Sequence, residues 1–200
     1  VPVYLHPEAV LPRYSRRNES PPRSIGMPSE SAVALNCHLA QAVWTQSPTR
    51  LGPDADVWVS GSIPRGTREG ESWQGFFLDA ACTEPDPVRD DQAVWISTPR
   101  GLVILLGCAH SGVVNTLDFI ERVAGEQPIH ALAGGFHLGG ATREGLEAIA
   151  DRLERLNVRW LFPAHCTGET ATTFLQKRFP DRTRIWHSGD RLSLLPEATF

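Results

Sequence analysis

Leu105-Leu-Gly-Cys-Ala-His110-Ser-Gly112 decides the fold, because the same pattern returns twice further along the chain. It returns as Leu132-Ala-Gly-Gly-Phe-His137-Leu-Gly139 and again as Leu161-Phe-Pro-Ala-His165-Cys-Thr-Gly168. Each copy has an apolar strand end, small or turn-forming residues, a histidine, and a glycine before a helical stretch. Glycine on either side lets the backbone turn sharply and lets a ligand approach. Repeated strand–helix units of this kind imply an α/β layered fold. In such folds ligands collect at the carboxyl ends of the strands. Three imidazoles at one sheet edge can converge on a single ion.

The surrounding elements support this reading. Ala93 to Ser97 and Leu102 to Leu106 form two strand-like runs around a Thr98-Pro-Arg-Gly turn, which predicts a hairpin. Helices are expected over Val113–Ala124, Thr142–Leu156 and Thr170–Phe179, and strands over Ile129–Ala133 and Val158–Phe162. In the second helix Leu146, Ile149, Ala150, Leu153 and Leu156 fall on one face, with Thr142 as N-cap. Arg184–His187 and Leu192–Leu195 read as a closing strand pair around Gly189-Asp190. The first part of the chain has a different texture. Val1–Leu5 and Asp56–Ser60 read as strands. Pro7 to Glu30, with Arg13, Arg16, Arg17 and Arg23, reads as a surface excursion. The expected organisation is one partial domain, with 1–91 a loop-rich middle segment and 92–200 the strand–helix half.

Composition narrows the function. With 41% apolar and 21% charged residues and a net charge of −4, this is an ordinary globular chain with no basic stripe for nucleic acid or anionic membrane. Its longest apolar run, Leu102 to Leu106, is too short to span a bilayer. The 4 cysteines make no CxxC framework, which points to reduced thiols and a cytoplasmic location.

Any one histidine in a loop is ordinarily a surface or core residue. Here 3 of 7 occupy equivalent places in consecutive units, and that argues for a metal site. Neutral imidazole suits zinc and also iron, nickel and copper. A catalytic zinc keeps an open position for water. His130 and His187 read as structural, and His6 and His38 carry no assignment. Cys108 reads as a packed thiol. Cys166, ahead of a helix start, is a candidate nucleophile or ligand. Ser111, Asn115, Thr167 and Arg65 are candidate substrate contacts.

At these residues the sequence resembles the metallo-β-lactamase superfamily. The nearer resemblance is to its 7,8-dihydropterin-6-methyl-4-(β-D-ribofuranosyl)aminobenzene 5′-phosphate synthase-like branch. Gly107 to Thr116, Gly134 to Leu138 and Pro163 to Gly168 carry it, and Val1 to Pro7, Ser60 to Arg65 and Asp90 to Ala93 support it. The resemblance implies an αββα sandwich, of which this chain is mainly the C-terminal portion. It also implies one or two metal ions, zinc first with Mn, Fe or Mg as alternatives. His110 then completes the first metal position and His165 serves the second. His137 stands where many relatives have a bridging Asp. The implied enzyme is a metal-dependent hydrolase or a pterin-related synthase with a small-molecule substrate, phosphorylated or pterin-like.

The superfamily's main ligand block, HxHxDH, does not occur in these 200 residues. The expectation is therefore a truncated chain, inactive in isolation, whose missing partner is the N-terminal half of the same domain. The sheet would then expose the apolar face that half covers. The alternative is a non-catalytic binding or scaffold remnant of the fold.

Overall fold

The computed structural model describes residues 2–37, 41–53, 56–66 and 75–191. Leu192–Leu195 and most of the polar stretch between Gly61 and Gly75 lie outside these residues, as does His38.

Eleven strands and four α-helices are present among the described residues. The strands are β1 (Val3–Leu5), β2 (Tyr14–Ser15), β3 (Arg23–Ser24), β4 (Ala42–Trp44), β5 (Thr49–Arg50) and β6 (Val57–Val59), followed by β7 (Phe76–Phe77), β8 (Ala93–Thr98), β9 (Gly101–Leu106), β10 (Ile129–Gly135) and β11 (Trp160–Ala164). The helices are α1 (Ser29–Cys37), α2 (Val113–Ala124), α3 (Arg143–Arg155) and α4 (Glu169–Arg178).

The main sheet has six strands in the order β11-β10-β9-β8-β6-β5. The hairpin β8–β9 is antiparallel, and β9, β10 and β11 run parallel. Each of those parallel strands feeds a helix. Leu102, Ile104, Leu132 and Leu161 point to the helical side, where they bury against Leu117 and Ile120 of α2, Ile149 and Leu153 of α3, and Leu175 of α4. Register brings the strand ends level: Gly134 pairs with Leu106 on one side and Pro163 on the other. A side chain at Gly134 has no room, since a Cβ there would stand 2.1 Å from the Leu106 carbonyl oxygen. The three histidine loops therefore leave the sheet at one edge.

Several expectations change. The second face of the sheet is not bare: Val103, Ala131, Ala133 and Phe162 are buried there, with Trp160 and Trp186 packed against them. The Pro7–Glu30 excursion is also anchored. Arg13 is buried, and its guanidinium lies 2.6 Å from the buried Asp86 carboxylate and 3.6 Å from both Glu8 and Asp90. Arg184–His187 is no strand, because strand pairing with β11 is limited to one bridge between Leu161 and Thr183, although Trp186 still packs on Phe162. The remaining strands form a two-stranded pair, β1–β4, and a small sheet, β3-β2-β7. No helix among the described residues is long and apolar enough to cross a membrane.

Candidate metal centre

Each of the three loops turns through a left-handed residue that is not glycine. These are Ala109 (φ 53°), His137 (φ 52°) and His165 (φ 48°). Such conformations cost about 1 kcal/mol or more apiece and persist only where surrounding contacts impose them. The contacts here link the loops to one another. Gly135 N–H donates to the Gly107 carbonyl at 3.0 Å, joining the β9 and β10 loops. Phe136 N–H donates to Thr167 Oγ1 at 3.1 Å, and that hydroxyl donates to the Ala164 carbonyl at 2.8 Å.

This arrangement brings His110 and His137 together, with ring centroids 4.3 Å apart and planes 52° to each other. Phe76 of β7 closes one side, edge-on to His110 at 5.4 Å. Nδ1 of each ring is buried with no hydrogen-bond partner among the described residues. Leaving such a group unsatisfied ordinarily costs about 1–3 kcal/mol. Burial holds His110 below the ordinary imidazole pKa; the His137 and Arg65 charges push the same way, and Asp91 and Asp90 oppose them. A neutral ring with an available lone pair is the state a cation needs.

His165 stands with sulfur. Its Nδ1 lies 3.3 Å from Cys108 Sγ, so Cys108 is not merely a packed thiol. Cys166 Sγ lies 3.4 Å from the Cys108 carbonyl oxygen. Burial, reinforced by the adjacent Cys166 thiol, pushes the Cys108 thiol up to about 12.

The remaining candidates lie close by, but their polar groups serve the loops. Arg65 donates to the His110 carbonyl at 2.6 Å and to the Val88 carbonyl at 3.0 Å. Asn115 is buried, accepting from Gly66 N–H at 3.2 Å and donating to the Ser111 carbonyl at 2.8 Å. Thr167 and Ser111 are buried as well. Asp91, which sequence reasoning did not single out, is buried and accepts Ser111 N–H at 2.8 Å. The signal for it was an acidic pair, Asp90-Asp91, immediately before the apolar run of β8.

No family profile matches the chain. It is 32% identical over 104 residues to the 7,8-dihydropterin-6-methyl-4-(beta-D-ribofuranosyl)-aminobenzene-5'-phosphate synthase of Methanocaldococcus jannaschii, a match covering 52% of this chain and 35% of that protein. It is 30% identical over 175 residues to an uncharacterized protein of the same organism, covering 88% of this chain and 62% of that one. The chain thus spans about a third of one curated relative and about three-fifths of the other. A crystal structure described as a metal-dependent hydrolase of the β-lactamase superfamily superposes with a TM-score of 0.76 at 26% identity, covering 96% of this chain and 70% of that chain. The chain has the metallo-β-lactamase fold. The α/β fold expected from its histidine repeats matches the architecture of that structure.

The donor set fits a cation of that superfamily in part. Three imidazoles and two thiols suit a borderline or soft ion, and the two Nδ1 atoms have no hydrogen-bond partner among the described residues. All of these donors come from the loops at one sheet edge.

Proposed function

We propose that this chain is part of a metal-dependent enzyme, a hydrolase or a pterin-related synthase acting on a small molecule. One observation carries the reading. His110 and His137 face each other at 4.3 Å, each with a buried ring nitrogen that no described group satisfies. His110 and His137 would hold one cation and His165 a second. Imidazole beside sulfur favours zinc or iron over Mn or Mg, which prefer oxygen. When bound, such an ion supplies Lewis acidity toward a water or a substrate oxygen. A phosphorylated or pterin-like substrate is the proposal that follows from the synthase relative's name.

The chain's own residues set the loops around this edge. Arg65 holds the His110 carbonyl, Asp91 holds Ser111 N–H, and Asn115 ties Gly66 to the start of α2. We therefore assign Arg65, Ser111, Asn115 and Thr167 to positioning the loops rather than to binding substrate. The free thiols of Cys37, Cys82, Cys108 and Cys166 fit a reducing compartment such as the cytoplasm. Ligands from one wall hold an ion weakly, so no turnover is expected from these 200 residues alone.

Equilibrium dialysis against Zn²⁺ or Co²⁺ tests the site. His110→Ala and His165→Ala are each expected to weaken binding by about tenfold or more. Unchanged metal content in both variants would refute the reading. A binding or scaffold module is the second reading, favoured by the absence of HxHxDH from the 200 residues. Metal-dependent turnover by this chain would exclude it.

A further inference from the structure

Two thiols and one imidazole stand together beside the histidine pair. Cys108 Sγ, Cys166 Sγ and His165 Nδ1 all lie within 4.8 Å of one another. Cys108 and Cys166 are 58 residues apart, so the sheet creates their proximity: β9 and β11 flank β10. Between them β10 carries Gly135, where a Cβ would stand 2.6 Å from Cys166 Sγ. The sulfur occupies the space that a side chain at that position would need.

We propose that Cys108, Cys166 and His165 Nδ1 form a binding position for a thiophilic divalent cation, distinct from the one built on His110 and His137. The spacing suits it. Tetrahedral zinc, with Zn–S of about 2.3 Å and Zn–N of about 2.1 Å, sets its ligand atoms about 3.4–3.8 Å apart. Cys108 Sγ and His165 Nδ1 already stand at 3.3 Å, and Cys166 Sγ lies within 4.8 Å of both. The charges balance as well. Each thiol gives up its proton to solvent as its sulfur bonds the ion, and the two thiolates then neutralise the 2+ charge. Neutral His165 donates one lone pair, and a fourth position remains for water. The cluster is open to solvent on the His165 side, which gives the ion a way in.

The proposal meets the metal reading above only at His165. A neutral imidazole that donates Nδ1 keeps its proton on Nε2, so His165 cannot also donate to a second ion without becoming an imidazolate. The sulfur position needs neither His110 nor His137.

Cd²⁺ titrated into the reduced 200-residue chain tests this without reference to turnover. Sulfur-to-cadmium charge-transfer absorption in the ultraviolet reports thiolate ligation directly. The expected result is a saturable band whose intensity falls by about half in Cys108→Ser or Cys166→Ser and disappears in the double variant. Cys37→Ser and Cys82→Ser serve as controls and keep the full band. A His110→Ala/His137→Ala variant also keeps the band. If that variant keeps its total metal content too, the histidine reading fails and the sulfur site stands. Absence of a band in reduced protein overturns the proposal, as does a band that survives the double cysteine variant. Loss of the band in the double histidine variant, with native circular dichroism, also overturns it. The thiols would then form no position of their own.

Discussion

Gly135→Ala puts the loop packing to a quantitative test. Gly135 sits at the end of β10, and a Cβ there would lie 2.6 Å from Cys166 Sγ, 2.7 Å from the Gly107 carbonyl oxygen and 3.1 Å from Cys108 Cα. The sulfur can swing away, but the carbonyl cannot easily do so, because it accepts Gly135 N–H at 3.0 Å. Relief must move the backbone of the β9 loop relative to β10. Overpacking of this kind costs about 1–3 kcal/mol, and a weakened buried hydrogen bond adds about 1 kcal/mol. The expected loss is therefore about 2–4 kcal/mol, or about 5–15 °C in Tm for a chain of this size. Urea and thermal unfolding followed by circular dichroism measure it. Gly140→Ala is the control, since nothing lies within 4 Å of where its Cβ would be. That variant should stay within about 0.5 kcal/mol of the parent. The reasoning is refuted if Gly135→Ala does the same, or if Gly140→Ala loses as much.

Other perturbations probe the rest of the molecule. Arg13→Met leaves the buried Asp86 carboxylate without its partner at 2.6 Å and should cost about 3–5 kcal/mol, by urea unfolding. Adding Asp86→Asn should recover part of that loss, and a single variant within about 1 kcal/mol of the parent would contradict the buried pair. For metal-free protein, pH should act through His110. Its folded pKa lies below the ordinary value, so its contribution is fully present above about pH 6.5 and is lost as pH falls through the folded value. His110→Gln should flatten the decline in urea midpoint below about pH 6.5. Some decline remains, because burial shifts His130 the same way. An unaltered pH profile in His110→Gln would count against this account.

The parts of the fold that depend on local periodicity were legible in the sequence. The spacing of Val113–Ala124 predicted α2 with the observed bounds, and Thr142 caps α3 as expected, accepting Gly145 N–H at 3.2 Å. The last strand runs later than expected, Trp160–Ala164 rather than Val158–Phe162. Pro163 lies inside β11, which is an edge strand, where a missing N–H can face away from the sheet. Features that depend on distant partners were not legible. Arg13 looked like one of several solvated arginines until Asp86 came into contact with it. Asp91 and Cys108 gained their neighbours only when β8, β9 and β11 came together. The three histidines were visible because each carries the same local turn. Their partition into an imidazole pair and a sulfur-bound third depends on tertiary geometry, which the repeat conceals.

The left-handed turns at His137 and His165 bear on any attempt to make this protein more robust. Glycine adopts that conformation without the penalty that a side chain incurs. A library screened only for heat resistance should therefore enrich glycine at both positions, and each such winner would have discarded a donor at the sheet edge. Selection for durability and selection for retained chemistry pull in opposite directions at the same two codons. A stabilising campaign on this scaffold has to hold those positions fixed and take its gains elsewhere.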